Sequence, residues 1–413
     1  MHFGIISPPV LGHIHPFGAL GRELIARGHR VSLLHMQDVA EHALAEGLEF
    51  IPIGHQDHPP GSLARSLAQL GRLDGLSALR FTIHAICRTT EMMLRDAPGA
   101  ILQHGIGALL VDQTEPAGGT MAEHLGIPFV TICNALALNW EPDVPPPFTG
   151  WHYRCSRWAR ARNRLGYAIS DRIMRPVTRI VDDHRRKWNL ASHRAPDNSF
   201  SNLAQISQQP PAFDFPRFHL PTQFHYVGPL RNSAREVAAF PWERLDGRPL
   251  IYASLGTLQS GKEQIFRYFA EACLGLNVQL VITHGGALGA DLASSFPGNP
   301  LVVSYAPQLQ VLASAKLTLS HAGLNTVLDS LSCGVPLVTV PITYEQPAIA
   351  SRVRWSGAGE VLPLSKIGVQ RLRTLLERVL GDSRYYHNAQ VIKESIERAG
   401  GTKRATEIIT TVI

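Results

Sequence analysis

The stretch 317-LTLSHAGLNTVLDSLSCGVPLVTVPITYEQ-346 opens on an apolar run, passes through His321, Ala322 and Gly323, and then changes period. Leu324, Val327, Leu328 and Leu331 recur at i, i+3, i+4 and i+7, the spacing of one helix face, and PLVTVPI returns to a short apolar strand. Strand, glycine turn, helix and strand, without polar alternation in the strands, describe a βαβ unit whose sheet is covered on both faces. The first turn of such a helix carries unpaired N–H groups and the positive end of the dipole, so it suits a phosphate. Asn325 and Thr326 add side-chain donors, His321 adds another, and Gly323 lets a ligand approach the backbone. Asn325 and Thr326 would equally serve as helix caps, and spacing alone leaves both readings open.

The same rhythm extends in both directions. Upstream, 250-LIYASLGTLQSGKE-263 is a strand ending in Ser254, Gly256 and Thr257, a second turn of hydroxyls and exposed amides. Two such turns at the carboxyl edge of one parallel sheet suggest a diphosphate. KEQIFRYFAEACLG, QLVITHG, LVVSYAP, GEVLPL and three closing helical segments complete this half. Neither turn is a GxGxxG fingerprint or a GxxxxGK[ST] loop; THGGALGA (283–290) comes nearest, lacks the expected downstream acid, and reads as a turn. There is no DxD pair for a bridging divalent cation, so no metal or other cofactor is expected. Helix dipole, histidine and hydroxyls must then meet the diphosphate charge.

The first half repeats the pattern: FGIIS, HPFGALGRELIARG, RVSLLHM, EFIPIG, ALLVDQ (108–113), PAGGTMAEHLG and PFVTICN. Residues 140–200 interrupt it with EPDVPPPF and a long basic, aromatic helical stretch. The expected fold is α/β, two Rossmann-like domains facing each other across a cleft. Their expected limits are 1–230 for the first half, 231–248 for a linker and 249–395 for the second half, with 396–413 a helix packing back towards the first half.

Composition narrows the class. The 413 residues are 45% hydrophobic and 17% charged, an ordinary globular balance, with a formal charge of +6. Basic residues concentrate between 154 and 194, in RCSRWARARNRL and then HRRKWNL, where a solvated helix face competes with an anionic membrane surface or nucleotide phosphates. Five cysteines lie far apart without a CxxC pair, which favours a reducing cytoplasm and no structural zinc. The N-terminus lacks a basic region, and Pro8 and Pro9 end its apolar run too early for a signal peptide. No window reaches the roughly 18 apolar residues of a membrane span. A cytoplasmic protein, at most peripheral to the membrane and without a nucleic-acid partner, is expected.

With these residues in hand, 305-YAPQLQVLASAKLTLSHAGLNTVLDSLSCGVPLVTVPITYEQ-346 resembles the donor-binding box of UDP-sugar glycosyltransferases with the GT-B fold. The resemblance spans nearly the whole chain and is strongest to bacterial carotenoid (zeaxanthin) glucosyltransferases, through HPPGSL (58–63), VDQTEPAG (111–118), LAQISQ (203–208), DFPRFHLP (214–221), YVGPLR (226–231) and ASLGTLQ (253–259). It implies that Tyr305 stacks on uracil, Gln308 reads the uracil edge, and His321, Asn325 and Thr326 hold the diphosphate with Ser254, Gly256 and Thr257. It further implies that Asp329, one turn past Asn325, accepts from the ribose hydroxyls, and that Glu345 and Gln346 bind the sugar. Most members carry Asp where this chain has the longer Glu345, and plant members carry Trp at Leu324; Gln346 fits glucose.

Glycosylation of an alcohol needs a base for the attacking hydroxyl, and a neutral imidazole oriented by a carboxylate suits that task. His13, after the first strand, and Asp112, closing ALLVDQ, stand at carboxyl ends of parallel strands and match the family's catalytic pair. His15 precedes Pro16, read here as the first residue of the helix carrying Phe17, Leu20 and Leu24, so His15 takes a capping place. The HxH spacing lacks a third ligand for a metal site. Apolar residues of 62–104, from Leu67 to Leu94, suggest a tunnel for a lipophilic hydroxylated acceptor. The expected activity is inverting, metal-independent glucosyl transfer from UDP-glucose to a carotenoid diol. The alternatives are another natural-product acceptor such as a flavonoid, macrolide or sterol, a UDP-sugar epimerase or phosphorylase, and a non-catalytic nucleotide-sugar binding protein.

Overall fold

In the computed structural model the described residues are 1–73, 75–193, 196–231, 239–257, 261–289 and 295–413. Parts of the expected linker (232–238) and of ASLGTLQ (258–259), and residue 290 of THGGALGA, therefore lie outside the described residues. The chain opens with β1 (His2–Ile6), α1 (Leu11–Ala26), β2 (Arg30–His35), α2 (Ala40–Ala45), β3 (Glu49–Pro52), α3 (Ser62–Leu70), α4 (Gly75–Gln103) and β4 (Ala108–Asp112). It continues through α5 (Gly118–Leu125), β5 (Phe129–Cys133), α6 (Arg157–Lys187), β6 (Gln205–Ser207) and β7 (Phe224–Tyr226). After β8 (Leu250–Ser254) come α7 (Glu263–Cys273), β9 (Gln279–Thr283), β10 (Leu301–Val303), α8 (Gln308–Ser314), β11 (Ala315–Ser320), α9 (Leu324–Ser332) and β12 (Leu337–Thr339). The chain closes with α10 (Gln346–Trp355), β13 (Gly359–Val361), α11 (Val369–Gly381), α12 (Ser383–Ala399) and α13 (Gly401–Val412).

Two wholly parallel sheets result, seven strands in the order β3-β2-β1-β4-β5-β6-β7 and six in the order β10-β9-β8-β11-β12-β13. β1, β4 and β8 are buried along their whole length, as strands covered by helices on both faces must be. Strand order reverses between β1 and β4 and again between β8 and β11, where connecting loops diverge and leave a crevice at the carboxyl ends. Ile6 of β1 pairs with Val111 of β4, and Ser254 of β8 with Ser320 of β11. Both segments singled out in the sequence thus emerge at a switch point of their own sheet.

α1 starts at Leu11, so His15 is not a cap and Pro16 lies inside the helix, contrary to the sequence expectation. Proline has no N–H, and the carbonyl one turn earlier, that of Gly12, loses its helical partner. Gly12 O instead accepts a hydrogen bond of 2.8 Å from Asn325 Nδ2, in the other half of the molecule. His15 Nδ1 meets Glu46 Oε1 at 2.7 Å, and Glu46 also pairs with Arg22.

The two halves share more than that contact. Leu136 and Phe213 pack in one buried cluster with Leu324, Val327 and Leu328 of α9 and Ile349 and Val353 of α10. Beside it Arg352 of α10 bonds Asp214 at 2.8 Å, and Asp214 also accepts from Arg217 at 2.7 Å and from Tyr226 at 2.9 Å. Burial opposes a charge on Asp214, yet Arg217 and Arg352 outweigh it and hold its carboxyl well below the usual carboxylate range. Arg352 also lies 4.3 Å over the Phe215 ring. Removing one partner of a buried ion pair leaves the other charge uncompensated, at a cost of about 3–5 kcal/mol. At the C-terminus, Ala405, Ile408 and Ile409 of α13 enter the cluster formed by Phe17, Leu20 and Leu24 of α1.

The apolar residues of α3 and α4 expected to line a tunnel fall into two groups. Met92, Met93 and Leu94 join the core under the first sheet, whereas Leu67, Leu76 and Leu79 are exposed. A depression lined by Asp57, Ser62, Arg65, Gln69, Phe81 and Arg88 is mostly polar. The apolar residues of 62–104 are divided between core and surface because α3 buries none of its residues and α4 packs against the core through residues 90–101 only. Among the described residues no helix is long and apolar enough to cross a membrane.

Candidate active site

His13 and Asp112, 99 residues apart in sequence, meet across the first switch point: Nδ1 lies 2.7 Å from Asp112 Oδ2. Asp112 is fully buried, and Thr114 N at 2.9 Å, Thr114 Oγ1 at 2.6 Å and Asn134 Nδ2 at 2.9 Å also donate to its two oxygens. Burial alone would raise the Asp112 pKa, but His13 and the Thr114 donors hold it below the ordinary carboxylate value. Burial conversely lowers that of His13, and the Asp112 charge and hydrogen bond, joined by the charge of Glu345, outweigh it, so the imidazole pKa is raised. With Nδ1 committed to Asp112 and the side chain 18% exposed, Nε2 is the nitrogen left for the cleft.

The second half presents the nitrogen end of α9. Gly323 occupies the N-cap position with extended backbone, and no side chain caps this helix, so Asn325 and Thr326 are not its caps. Ala322 holds φ 68°, a left-handed conformation uncommon outside glycine and typical of turns that serve a ligand. His321 is buried, and burial drives its pKa down to about 4, so the ring is neutral. Gly256, at φ 67°, and Gly323 clasp that ring: a β-carbon would meet it at 2.9 Å from the first and 2.5 Å from the second. Ser254 Oγ accepts from Gly256 N at 3.3 Å, which shapes the same turn, while Thr257 is exposed.

Tyr305 is 60% exposed, its hydroxyl bonding Gly285 O at 3.1 Å, which leaves the ring surface open. Gln308 is held at both polar ends. Its Oε1 accepts from Tyr252 at 2.9 Å and its Nε2 donates to Asp329 Oδ2 at 2.6 Å, so both polar ends are engaged and the side chain supports Asp329. Glu345 leads into α10 beside Tyr344, itself at φ 53°. Gln346 is buried and folds back, its Oε1 accepting from Ile342 N at 2.8 Å and Thr343 N at 2.9 Å, which leaves Nε2 as its donor.

A closed circuit joins the two clusters. From His13 it passes to Asp112 and Asn134; Gln208 Nε2 then donates to Asn134 O at 2.7 Å and to Asn325 Oδ1 at 3.1 Å, and Asn325 returns to Gly12. Asn134, Gln208 and Arg231, which reaches Asp329, were assigned no role from sequence. Gln208 and Arg231 end two of the segments that carried the family resemblance, and that placement was the available signal.

Comparison with solved structures defines the class. The glycosyltransferase of kitacinnamycin superposes with a TM-score of 0.78 over 100% of this chain and 98% of that one, at 22% identity. The calicheamicin glycosyltransferase gives 0.77 over the same shares, also at 22%. The fold is that of GT-B glycosyltransferases. Residues 187–397 match the UDP-glucoronosyl and UDP-glucosyl transferase family, and 11–131 the glycosyltransferase family 28 N-terminal domain. The zeaxanthin glucosyltransferase of Pantoea ananas is 36% identical over 100% of this chain and 96% of its own length. That of Pseudescherichia vulneris is 35% identical over 99% and 97%. The chain belongs to the UDP-glycosyltransferase family and is a glycosyltransferase enzyme.

The clasp around His321 yields a prediction. Gly323→Ala places a carbon 2.5 Å from His321 Nε2, so the ring must move and UDP affinity measured by calorimetry falls about tenfold or more. Gly12→Ala, whose added carbon sits 3.8 Å from Asn325 Nδ2, leaves affinity unchanged.

Proposed function

We propose that the enzyme transfers glucose from UDP-glucose to a hydroxyl of a lipophilic acceptor of the carotenoid diol class, zeaxanthin being the model acceptor, with inversion and without a metal ion. One observation carries the catalytic part. The His13–Asp112 pair stands at the switch point of one sheet, and the residue beside His13 is bonded to Asn325 in the first turn of α9. A base in one half thus adjoins the anion-binding helix of the other. The acceptor assignment rests on the two zeaxanthin glucosyltransferases, which match this chain over nearly their whole length.

In this reading His13 Nε2 takes the proton of the acceptor hydroxyl as its oxygen attacks the anomeric carbon. The bond from that carbon to the β-phosphate oxygen breaks on the opposite side, and its electron pair leaves on UDP. Asp112 fixes the imidazole and stabilises the imidazolium. The free N–H groups of α9, Thr326, His321 and the Ser254–Thr257 turn meet the charge developing on UDP. Asn325 would exchange Gly12 O for a phosphate oxygen; Tyr305 stacks on uracil, Asp329 takes the ribose hydroxyls, and Glu345 and Gln346 take those of glucose.

The partner reading extends to the membrane from which such an acceptor would come. On α6, Trp158, Leu165 and Ile169 are 68%, 63% and 50% exposed and share one face, flanked by exposed Arg157, Arg164, Arg172 and Arg175. Apolar anchors within a basic fringe fit an anionic bilayer surface.

Two experiments test these proposals. With zeaxanthin present, in chelator, the enzyme releases UDP from UDP-glucose; without acceptor it does not. His13→Ala lowers turnover by about 10²–10⁴-fold while UDP affinity holds, and His15→Ala, which loses only the Glu46 contact, stays active. Equal UDP release without acceptor, or full activity of His13→Ala, contradicts the mechanism. Separately, the protein co-sediments with phosphatidylglycerol vesicles but not with phosphatidylcholine vesicles, and Trp158→Glu with Leu165→Glu abolishes this; indifference to vesicle charge or to the substitutions contradicts the membrane surface.

A further inference from the structure

Arg231 ends the YVGPLR segment and stands where three parts of the molecule meet. Its main chain is held by α13: Arg231 N donates to Thr402 Oγ1 at 3.0 Å, and Thr402 Oγ1 donates back to Arg231 O at 3.0 Å. Its side chain crosses to α9, where Nε donates to Asp329 Oδ1 at 2.5 Å and Nη2 to Asn325 O at 3.2 Å, while Nη1 reaches Leu230 O at 3.0 Å. The guanidinium is therefore fixed at every nitrogen before any ligand arrives.

We propose that Arg231 is a positioning residue for nucleotide recognition, holding Asp329 in the one orientation that can accept from both hydroxyls of a vicinal ribose diol. The inference rests on the UDP-sugar reading of the site. Asp329 receives one donor on each oxygen, Arg231 on Oδ1 and Gln308 on Oδ2, the latter anchored by Tyr252. A carboxylate has about four lone-pair sites, so one remains on each oxygen, side by side on a carboxyl plane that two opposed donors prevent from turning. Adjacent ribose hydroxyls present two donors at matching separation. With Gln308 alone the carboxylate is held at one corner and rotates. Because Arg231 is bonded to α13 as well, the nucleotide site is aligned through the same residue that joins the returning C-terminal helix to α9.

The test is nucleotide discrimination by calorimetry, with UDP and 2′-deoxy-UDP as probes on the full chain. Wild type favours UDP by about tenfold or more, the worth of one charge-assisted hydrogen bond. Arg231→Met loses that preference, raises KM for UDP-glucose about tenfold, and changes turnover at saturating donor by less than about threefold; Arg231→Lys restores part of the preference. An unchanged UDP to 2′-deoxy-UDP ratio in a folded Arg231→Met overturns the inference, leaving the residue a structural tie. If Arg231→Met does not fold, the ratio in Arg231→Lys decides: partial loss supports the proposal and full retention overturns it. Wild type that binds neither nucleotide defeats the UDP-sugar reading itself, an outcome distinct from failure of the Arg231 role.

Discussion

Asp112 has no exposure to water, and a carboxylate in that position remains charged only because four donors converge on its two oxygens. Those donors come from three places along the chain: His13 after β1, Thr114 just past β4, and Asn134 after β5. Each sits where a parallel strand ends, so only a sheet with β1, β4 and β5 adjacent can supply them all. The dyad is in this sense a product of strand order. Its consequence is chemical: the buried carboxylate outweighs desolvation at His13 and commits Nδ1, which fixes the ring in the first turn of α1 in the orientation the proposed base requires.

The second half answers with a different physical device. The uncapped end of α9 and a neutral, buried His321 offer N–H donors without a charged side chain at the turn, and two glycines allow the backbone to close around the ring, which is the setting the proposed diphosphate site requires. The Asp214–Arg352 ion pair joins the halves, and Arg231 ties α9 to the returning C-terminal helix. α10, which begins next to Glu345 and carries Arg352 near its end, couples the segment that leads into it directly to the first half.

Much of this was legible in the amino-acid order. Short apolar strands alternating with 3.6-period segments gave the doubly wound sheets, and the strand–glycine–helix passage at 317–332 located the second switch point. His13 and Asp112 could be paired because one follows and the other closes a strand that such a sheet brings together. What stayed hidden depended on partners distant in sequence. Local rules place Pro16 at the first helical position, yet the helix starts at Leu11; the carbonyl that proline strands is satisfied by Asn325, 313 residues away. Asp214 and Arg352, 138 residues apart, carry no local mark of burial. Periodicity marked the apolar face of α4 without telling that Met92, Met93 and Leu94 belong to the core while Leu76 and Leu79 are exposed.

The central claim is that His13, oriented by Asp112, is the base. It is tested most directly by the pH dependence of kcat/KM in wild type and Asp112→Asn. Protonated His13 is inactive, and Asp112 raises its pKa, so the wild-type acid limb should fall above the 6.5 of a free imidazole. Without the carboxylate, burial dominates and the limb moves to lower pH, with a reduced plateau. An acid limb that stays in place in Asp112→Asn would contradict the account.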